Sequence, residues 1–159
     1  MFPVDDVQIR PARASDLDQL ARLCQALWPG SSAEDHAQEL RLKLGDQAGL
    51  VLGLPLTIFV ADRSDGILVG FLEVGLRSHA DGCNPSHPVG YIEGWYVAED
   101  RRQCGIGRQL LAKAEDWARN HGCFEMASDA IIANELSQRA HEALGYEVVD
   151  RCVHYRKRL

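Results

Sequence analysis

Residues 91–121 read YIEGWYVAEDRRQCGIGRQLLAKAEDWARNH, and this stretch decides the fold. Its first seven residues are rich in strand formers, but Gly94 interrupts them, and a glycine inside a strand usually marks a bulge or a close backbone approach. After Asp100 the apolar residues follow helical spacing, at Ile106, Leu110, Ala114, Trp117 and Ala118. The stretch therefore predicts a strand, a glycine-containing loop and an amphipathic helix that ends near His121.

The loop before this helix has the features of an anion cradle. Gly105 and Gly107 allow a ligand to approach the backbone without a Cβ in the way, and the first N–H groups of a helix attract phosphate oxygens. Arg101, Arg102, Arg108 and Lys113 add positive charge in and after this loop. The alternative is an ordinary glycine turn with a solvated basic helix start, but the strand, loop and helix context favours the cradle. Neither Gly-Lys-Ser/Thr nor GxGxxG is present, which argues against a nucleotide triphosphatase and a dinucleotide-binding fold.

Short helices and strands alternate on both sides of this stretch. Towards the N-terminus the patterns predict a strand at 7–10, helices at 15–27 and 33–44, and a hairpin of strands 57–61 and 67–76. Towards the C-terminus they predict a strand at 126–130, a helix at 134–144, and two closing strands at 146–149 and 152–155. Loops are expected at 45–55 and 81–88. The order is that of one mixed α/β domain over residues 1–159.

Composition excludes several classes of protein. The 159 residues suit one domain, and 46% hydrophobic with 25% charged residues is typical of a globular protein. The net charge of −6 argues against a nucleic-acid partner and favours cationic ligands. Five cysteines without CxxC, and histidines without ligand spacing, predict neither a disulfide framework nor a metal site. The sequence begins without a signal peptide and has no apolar run of membrane length, so a cytoplasmic location is expected.

Two windows of the chain are acidic. The only charged residues between Arg77 and Arg101 are Asp81, Glu93, Glu99 and Asp100, and those between Arg119 and Arg139 are Glu125, Asp129 and Glu135. Most of these are expected to be solvated surface charges. Glu93 and Asp129 differ because each falls inside an apolar strand, where an unpaired charge is costly. These two are the candidate ligands of a cationic substrate.

The glycine loop resembles the R/Q-x-x-G-x-G/A acetyl-CoA motif of the GNAT superfamily of acyl-CoA N-acyltransferases. Residues 9–17 resemble the first strand and helix of that superfamily, Asn134 its pantetheine-contacting asparagine, and residues 143–146 its closing turn. The resemblance implies a mostly antiparallel twisted sheet of six or seven strands, flanked by helices and splayed where acetyl-CoA binds. It also implies the residues that bind acetyl-CoA: Trp95, Tyr96, Val97, Gln103, Cys104, Gly105, Ile106, Gly107, Arg108 and Asn134.

Within the superfamily the chain is most similar to aminoglycoside 6′-N-acetyltransferases, which confer resistance to these antibiotics. Segments 25–30, 82–84, 92–94, 125–129 and 155–158 carry this likeness. It implies transfer of an acetyl group from acetyl-CoA to the 6′-amine of an aminoglycoside. It further implies that the aminoglycoside site is lined by Trp28, His79, Glu93, Asp129 and Asp150.

The expected mechanism is direct attack of the amine in a ternary complex. A carboxylate must remove a proton from the substrate ammonium, and Glu93, beside the Gly94 bulge, is the first choice, with Asp129 as the alternative. Backbone N–H groups at the bulge are expected to polarise the thioester oxygen. His141 occupies the position of the superfamily's usual acid, a tyrosine. Three alternatives therefore remain for the leaving thiolate. His141 protonates it, the more remote Tyr155 does so, or it departs without an acid.

Two other functions are compatible with the sequence. The acidic windows also suit a polyamine or a protein amine as acceptor, and only the subfamily-like segments favour an aminoglycoside. A non-catalytic acetyl-CoA-binding module is the alternative of a different class, and the presence of both Glu93 and Asp129 argues against it. A homodimer is expected from the resemblance, because many members of the superfamily dimerise.

Overall fold

A five-stranded sheet forms the centre of the computed structural model, which describes residues 6–45 and 53–159. The strands are β1 (Val7–Pro11), β2 (Leu56–Arg63), β3 (Leu68–Arg77), β4 (Val89–Val97) and β5 (Met126–Ser128). The helices are α1 (Leu17–Leu27), α2 (Ala33–Lys43), α3 (Ile106–Asn120) and α4 (Glu135–Ala143), with single 3₁₀ turns at Ala14–Asp16 and Glu99–Arg101. None of the helices in these ranges is long and apolar enough to cross a membrane.

The strands lie in the order β1-β2-β3-β4-β5. The first four pair antiparallel, and β5 joins β4 in parallel, so the sheet is mixed. The predicted hairpin is confirmed, because β2 and β3 pair along their length across a turn at Gly66. The connection from β4 to β5 runs through α3, as a parallel pair requires a crossover.

Each face of the sheet buries a separate apolar cluster. On one face, Leu110 and Ala114 of α3 pack with Val74 and Ile92. On the other face, Leu20 of α1 and Leu40 of α2 pack with Val60, Phe71 and Ile58. Because full burial of such a side chain contributes about 1.5–3 kcal/mol, these clusters fix which face of the sheet each helix covers.

Two irregularities occur at the same point of β4. Glu73 of β3 pairs with Gly94, but the next residue, Val74, pairs with Ile92, so Glu93 is an extra residue without a partner across the ladder. On the other side of β4, pairing with β5 ends at Ile92 and Ser128. The strand is therefore bulged and splayed from β5 at adjacent positions, as the sequence predicted for Gly94.

The sheet has fewer strands than expected. The predicted six or seven strands are wrong for the described residues, which form five. The two closing strands predicted at 146–149 and 152–155 are absent: no helix or strand is assigned to residues 147–159, and all of them are exposed. A strand forms only where a neighbour pairs with its backbone, and no described strand pairs with the tail. Most of the loop predicted at 45–55 falls outside the described residues.

Candidate active site

The predicted anion cradle begins α3. Gly105 caps the helix with a left-handed φ of 81°, and no side chain within the described ranges caps the first turn. The first N–H groups of a helix have no acceptor inside it, so they remain available to an anion. Gln103 also has a positive φ, 61°, which turns the backbone into the helix. Arg108 follows on the exposed first turn and makes no ion pair with a described residue.

Close packing joins this cradle to β4. A Cβ on Gly107 would lie 3.1 Å from Cζ2 of Trp95, so the glycine allows the indole to rest against the helix start. Arg102 donates from Nε to the carbonyl oxygen of Val97 at 2.9 Å, which ties the end of β4 to the loop. Ile106 is 2% exposed, so a ligand in the cradle meets its backbone and not its side chain.

The gap between β4 and β5 is bordered by His141 of α4. Its ring meets Trp95 edge-on, with centroids 5.3 Å apart. Nδ1 lies 2.7 Å from the carbonyl oxygen of Ser137, and Nε2 lies 2.9 Å from Oγ of Ser128. Because a carbonyl only accepts, Nδ1 carries a proton, and in the neutral ring Nε2 accepts from the Ser128 hydroxyl. The sequence analysis did not predict Ser128 as a site residue. The signal that could have indicated it is its position in the predicted strand, beside Asp129.

Asn134 begins α4, as predicted. Its Oδ1 accepts from the backbone N–H of Ser137 at 3.1 Å and caps the helix. The side-chain amide group makes no hydrogen bond to a described residue. Asn134 thus combines a structural cap with two free donors on the α4 side of the gap.

A chain of polar contacts links the two predicted carboxylates. Arg77 donates from Nε and Nη2 to the two carboxylate oxygens of Glu93, at 3.0 and 2.9 Å. The guanidinium carbon of Arg77 lies 3.4 Å from the centroid of the Tyr91 ring. The Tyr91 hydroxyl in turn donates to Oδ1 of Asp129 at 2.7 Å. Burial and then the Asp129 contact raise the pKa of Tyr91, so its hydroxyl stays a donor.

Trp28 borders the same place. A Cβ on Gly94 would lie 2.4 Å from Cη2 of Trp28, so only a glycine permits this contact beside Glu93. The indole is 37% exposed, and His36 makes a contact of 3.2 Å from Nε2 to the carbonyl oxygen of Trp28. The structure therefore brings together Trp28 and Glu93, two of the residues that the resemblance places in the acceptor site.

The expected burial of the two carboxylates is wrong. Glu93 and Asp129 are both exposed, because Glu93 is bulged out of the ladder and Asp129 follows the last residue of β5. The buried carboxylate beside the bulge is Glu73, 4% exposed and opposite Gly94. The sequence signal that drew attention to Glu93, a charge within an apolar strand, applied equally to Glu73.

Lys43 neutralises Glu73. Its Nζ lies 2.7 Å from Glu73 and 2.6 Å from Glu39. Burial raises the pKa of the Glu73 carboxyl against the opposing effect of Lys43. Burial alone would lower the pKa of Lys43, but the two carboxylates outweigh it and raise that pKa. The pair ties α2 to β3 directly behind the bulge.

Two predicted residues, His79 and Asp150, make no hydrogen bond or ion pair with this cluster in the described part of the chain. His79 is exposed and makes no hydrogen bond or ring contact within the described chain. Asp150 lies in the exposed tail and accepts from the backbone N–H of Arg151 at 2.6 Å. Tyr155 is also in the tail, 92% exposed. Across the described ranges, no three His, Cys, Asp or Glu side chains group as metal ligands would, and the five cysteines are free.

Comparison with known proteins relates this arrangement to acetyltransferases. The model of the Acetyltransferase (GNAT) family matches residues 18–146. The chain is 43% identical over 145 residues to the aminoglycoside N(6')-acetyltransferase type 1 of Serratia marcescens, with 91% of this chain and 94% of that protein covered. It is 40% identical over 148 residues to the protein of the same name from Stenotrophomonas maltophilia, covering 93% and 91%.

Solved structures give the same likeness. AAC(6')-Iy in complex with the bisubstrate analogue CoA-S-monomethyl-acetylneamine superposes with a TM-score of 0.81 at 35% identity, covering 96% of this chain and 99% of that one. The aminoglycoside antibiotic 6'-N-acetyltransferase AAC(6')-Ih from Acinetobacter baumannii superposes with a TM-score of 0.83 at 29% identity, with the same coverage.

Proposed function

This chain belongs to the GNAT acetyltransferase family, and we propose that it transfers an acetyl group from acetyl-CoA to the 6′-amine of an aminoglycoside. One observation carries the proposal: the packing of Trp95 on Gly107 joins the bulged Glu93, in the middle of β4, to the uncapped start of α3, which follows the C-terminal end of that strand. The gap between β4 and β5 is thus bordered by an acidic group, which suits a cationic amine, and by a cradle, which suits phosphates. An enzyme with this activity would inactivate the antibiotic, hence a role in resistance.

The cradle fits the phosphates of acetyl-CoA. Uncapped N–H groups at the start of α3 and the open space around Gly105, where a Cβ would meet nothing within 4 Å, suit an anion. The backbone of 95–97 and 103–108 would bind the cosubstrate, with Arg108 pairing with a phosphate and the free amide of Asn134 donating to the pantetheine arm. Bound there, acetyl-CoA supplies an activated acetyl group.

Glu93 is the proposed base. An ammonium has no lone pair, so the acceptor must lose a proton before its nitrogen attacks the thioester carbonyl carbon and the carbon–sulfur bond breaks. Glu93 takes that proton directly or through a water molecule. Asp129 remains the alternative base; its bond to Tyr91 also suits it to orient the acceptor. Backbone N–H groups in the unpaired part of β4 stabilise the charge that develops on the carbonyl oxygen.

The leaving sulfur needs a proton or must depart as a thiolate. In its protonated form, His141 donates from Nε2 to Oγ of Ser128, whose own hydrogen then reaches the thiolate. In this route Ser128 gives its proton to the thiolate, and His141 replaces that proton. Tyr155 would need the tail to fold back, and departure without an acid needs neither residue.

Trp28 and the carboxylates form the acceptor side. The exposed indole provides a flat apolar wall for a sugar ring, and Glu93 and Asp129 provide charge-assisted hydrogen bonds to ammonium groups. His79 and Asp150, which make no hydrogen bond or ion pair with these residues in the described chain, would contribute a polar side chain each to the same acceptor. A polyamine or a protein amine would satisfy the carboxylates as well, but gains little from the Trp28 wall.

A panel of acceptors tests the proposed activity. Release of the free thiol from acetyl-CoA is measured with a polyamine, a peptide and two aminoglycosides that differ only in carrying an amine or a hydroxyl at the 6′ position. We expect release with the 6′-amine compound and at most slow release with its hydroxyl partner. Equal rates for the two aminoglycosides, or a higher kcat/KM for the polyamine or peptide, would contradict the proposal.

Gly105→Val tests the cradle. We expect it to weaken acetyl-CoA binding by about tenfold or more, because the side chain stands where the phosphate lies and φ must change. Gly122→Val is the matched control, since Gly122 has a φ of 80° and equally open surroundings at the other end of α3. Calorimetric titration of both folded variants gives the answer. Equal acetyl-CoA affinity in the two would remove the cradle from the proposal.

We also propose that the chain forms a homodimer through the open edge of β5 and its tail. Among described residues β5 pairs only with β4, and an unpaired edge attracts another strand. The tail exposes apolar side chains, including Val153 at 72% and Tyr155 at 92%. Phe124 and Ile131, which flank β5 in sequence, are 78% and 73% exposed. Apolar exposure of this kind on one part of a molecule favours association.

Replacing Val153 and Tyr155 together by Asp tests the dimer. We expect sedimentation to give a dimer for the unmodified chain and a monomer for this variant, because two charges oppose burial of the tail. Ile67→Asp, at an exposed apolar residue of the β2–β3 turn, serves as the control and stays dimeric. A monomeric unmodified chain at micromolar concentration would refute the assembly.

A further inference from the structure

The Glu93 carboxylate already forms an ion pair with a side chain of the same protein. Arg77, the last residue of β3, holds both oxygens of this carboxylate while its guanidinium lies on the ring of Tyr91. A planar guanidinium that binds two oxygens at once competes strongly with an incoming ammonium, which has no such fork. The position proposed for the acceptor ammonium is therefore filled by a cation of the chain.

Arg77 also connects the two candidate carboxylates, Glu93 and Asp129. It contacts Glu93 directly and reaches Asp129 through the Tyr91 ring and hydroxyl. Glu73, opposite the bulge, also interacts with Glu93, but Lys43 pairs with Glu73. Removal of Arg77 would leave Glu93 and Asp129 without a cation at the acceptor side.

The two internal ion pairs differ in their freedom to open. Lys43 and Glu73 are buried, with side chains 15% and 5% exposed, so breaking that pair leaves an uncompensated buried charge. The side chains of Arg77 and Glu93 are 44% and 35% exposed, and an exposed pair contributes little to stability. Arg77 can therefore leave Glu93 for solvent at small cost to the fold.

A carboxylate that holds a bidentate guanidinium is a weak proton acceptor, because protonation would break both hydrogen bonds. We propose that Arg77 is a displaceable counter-cation of Glu93: it occupies the carboxylate in the free enzyme, and the acceptor ammonium displaces it and frees Glu93 to act as the base. This inference rests on the proposed function. It makes Arg77 a positioning residue that sets acceptor affinity through Glu93.

Three arginine substitutions test whether the acceptor displaces Arg77 from Glu93. Arg77→Gln removes the competitor, Arg77→Lys keeps the charge without the fork, and Arg119→Gln removes an equal charge from an exposed ion pair on α3. We expect Arg77→Gln to lower the KM for the aminoglycoside by about threefold to tenfold, the range expected for removing an exposed pair with a stacked ring. Arg77→Lys should give a smaller decrease. Arg119→Gln should leave KM unchanged, and acetyl-CoA affinity should be the same in all.

A split between KM and kcat separates this effect from a structural one. Without Arg77, KM for the aminoglycoside should fall while kcat stays unchanged, because the bound ammonium has already displaced Arg77 in the complex that reacts. In a Glu93→Gln background, Arg77→Gln should change neither KM nor kcat. A raised KM in Arg77→Gln, or an equal decrease in the Glu93→Gln background, would overturn the inference.

The same experiment distinguishes failure of the inference from failure of the proposed function. If no aminoglycoside releases thiol from acetyl-CoA, the proposed function itself fails. If Glu93→Gln alone leaves both KM and kcat as in the unmodified enzyme, Glu93 has no part in the reaction, Asp129 is the remaining base and the displacement is refuted. If Glu93→Gln impairs the enzyme but Arg77→Gln leaves KM unchanged, only the displacement is refuted.

Discussion

The register shift between β3 and β4 is the constraint on which the site depends. Because Val74 pairs with Ile92 while Glu73 pairs with Gly94, Glu93 leaves the ladder and its carboxylate reaches solvent. The shift coincides with the last β4–β5 pair, Ile92 with Ser128. An unpaired strand backbone and a projecting acid are thus produced together, and Gly94 makes room for Trp28 beside them.

The acceptor side is acidic, yet each acid there has a partner in the free chain. Lys43 stays with Glu73 behind the sheet because both are buried, and this fixed pair secures α2 against β3. Arg77 holds Glu93 on the solvent side, where exchange for another cation is possible. The charges of Glu73 and Glu93 are therefore compensated within the chain, which limits their mutual repulsion before a polycationic substrate arrives.

Much of the fold follows from the sequence because local signals agree with the final packing. The helical spacing of Ile106, Leu110 and Ala114 predicted a helix to about His121, and α3 is Ile106–Asn120. Gly94 predicted the bulge. Arg77 could not be predicted as the partner of Glu93, since that contact depends on the β3–β4 register. The closing strands were predicted from β-forming residues alone, but a strand also needs a partner strand, and within the described chain nothing pairs with the tail.

The central claim is that the bulge presents Glu93 as the base of acetyl transfer. The most direct test is the pH profile of kcat at saturating aminoglycoside for the unmodified enzyme and Glu93→Gln, with Glu34→Gln on α2 as a control. The account predicts that kcat of Glu93→Gln is about a hundredfold lower at neutral pH and recovers partly at high pH, where free amine forms without help. A kcat for Glu93→Gln equal to that of the unmodified enzyme across the pH range would contradict it.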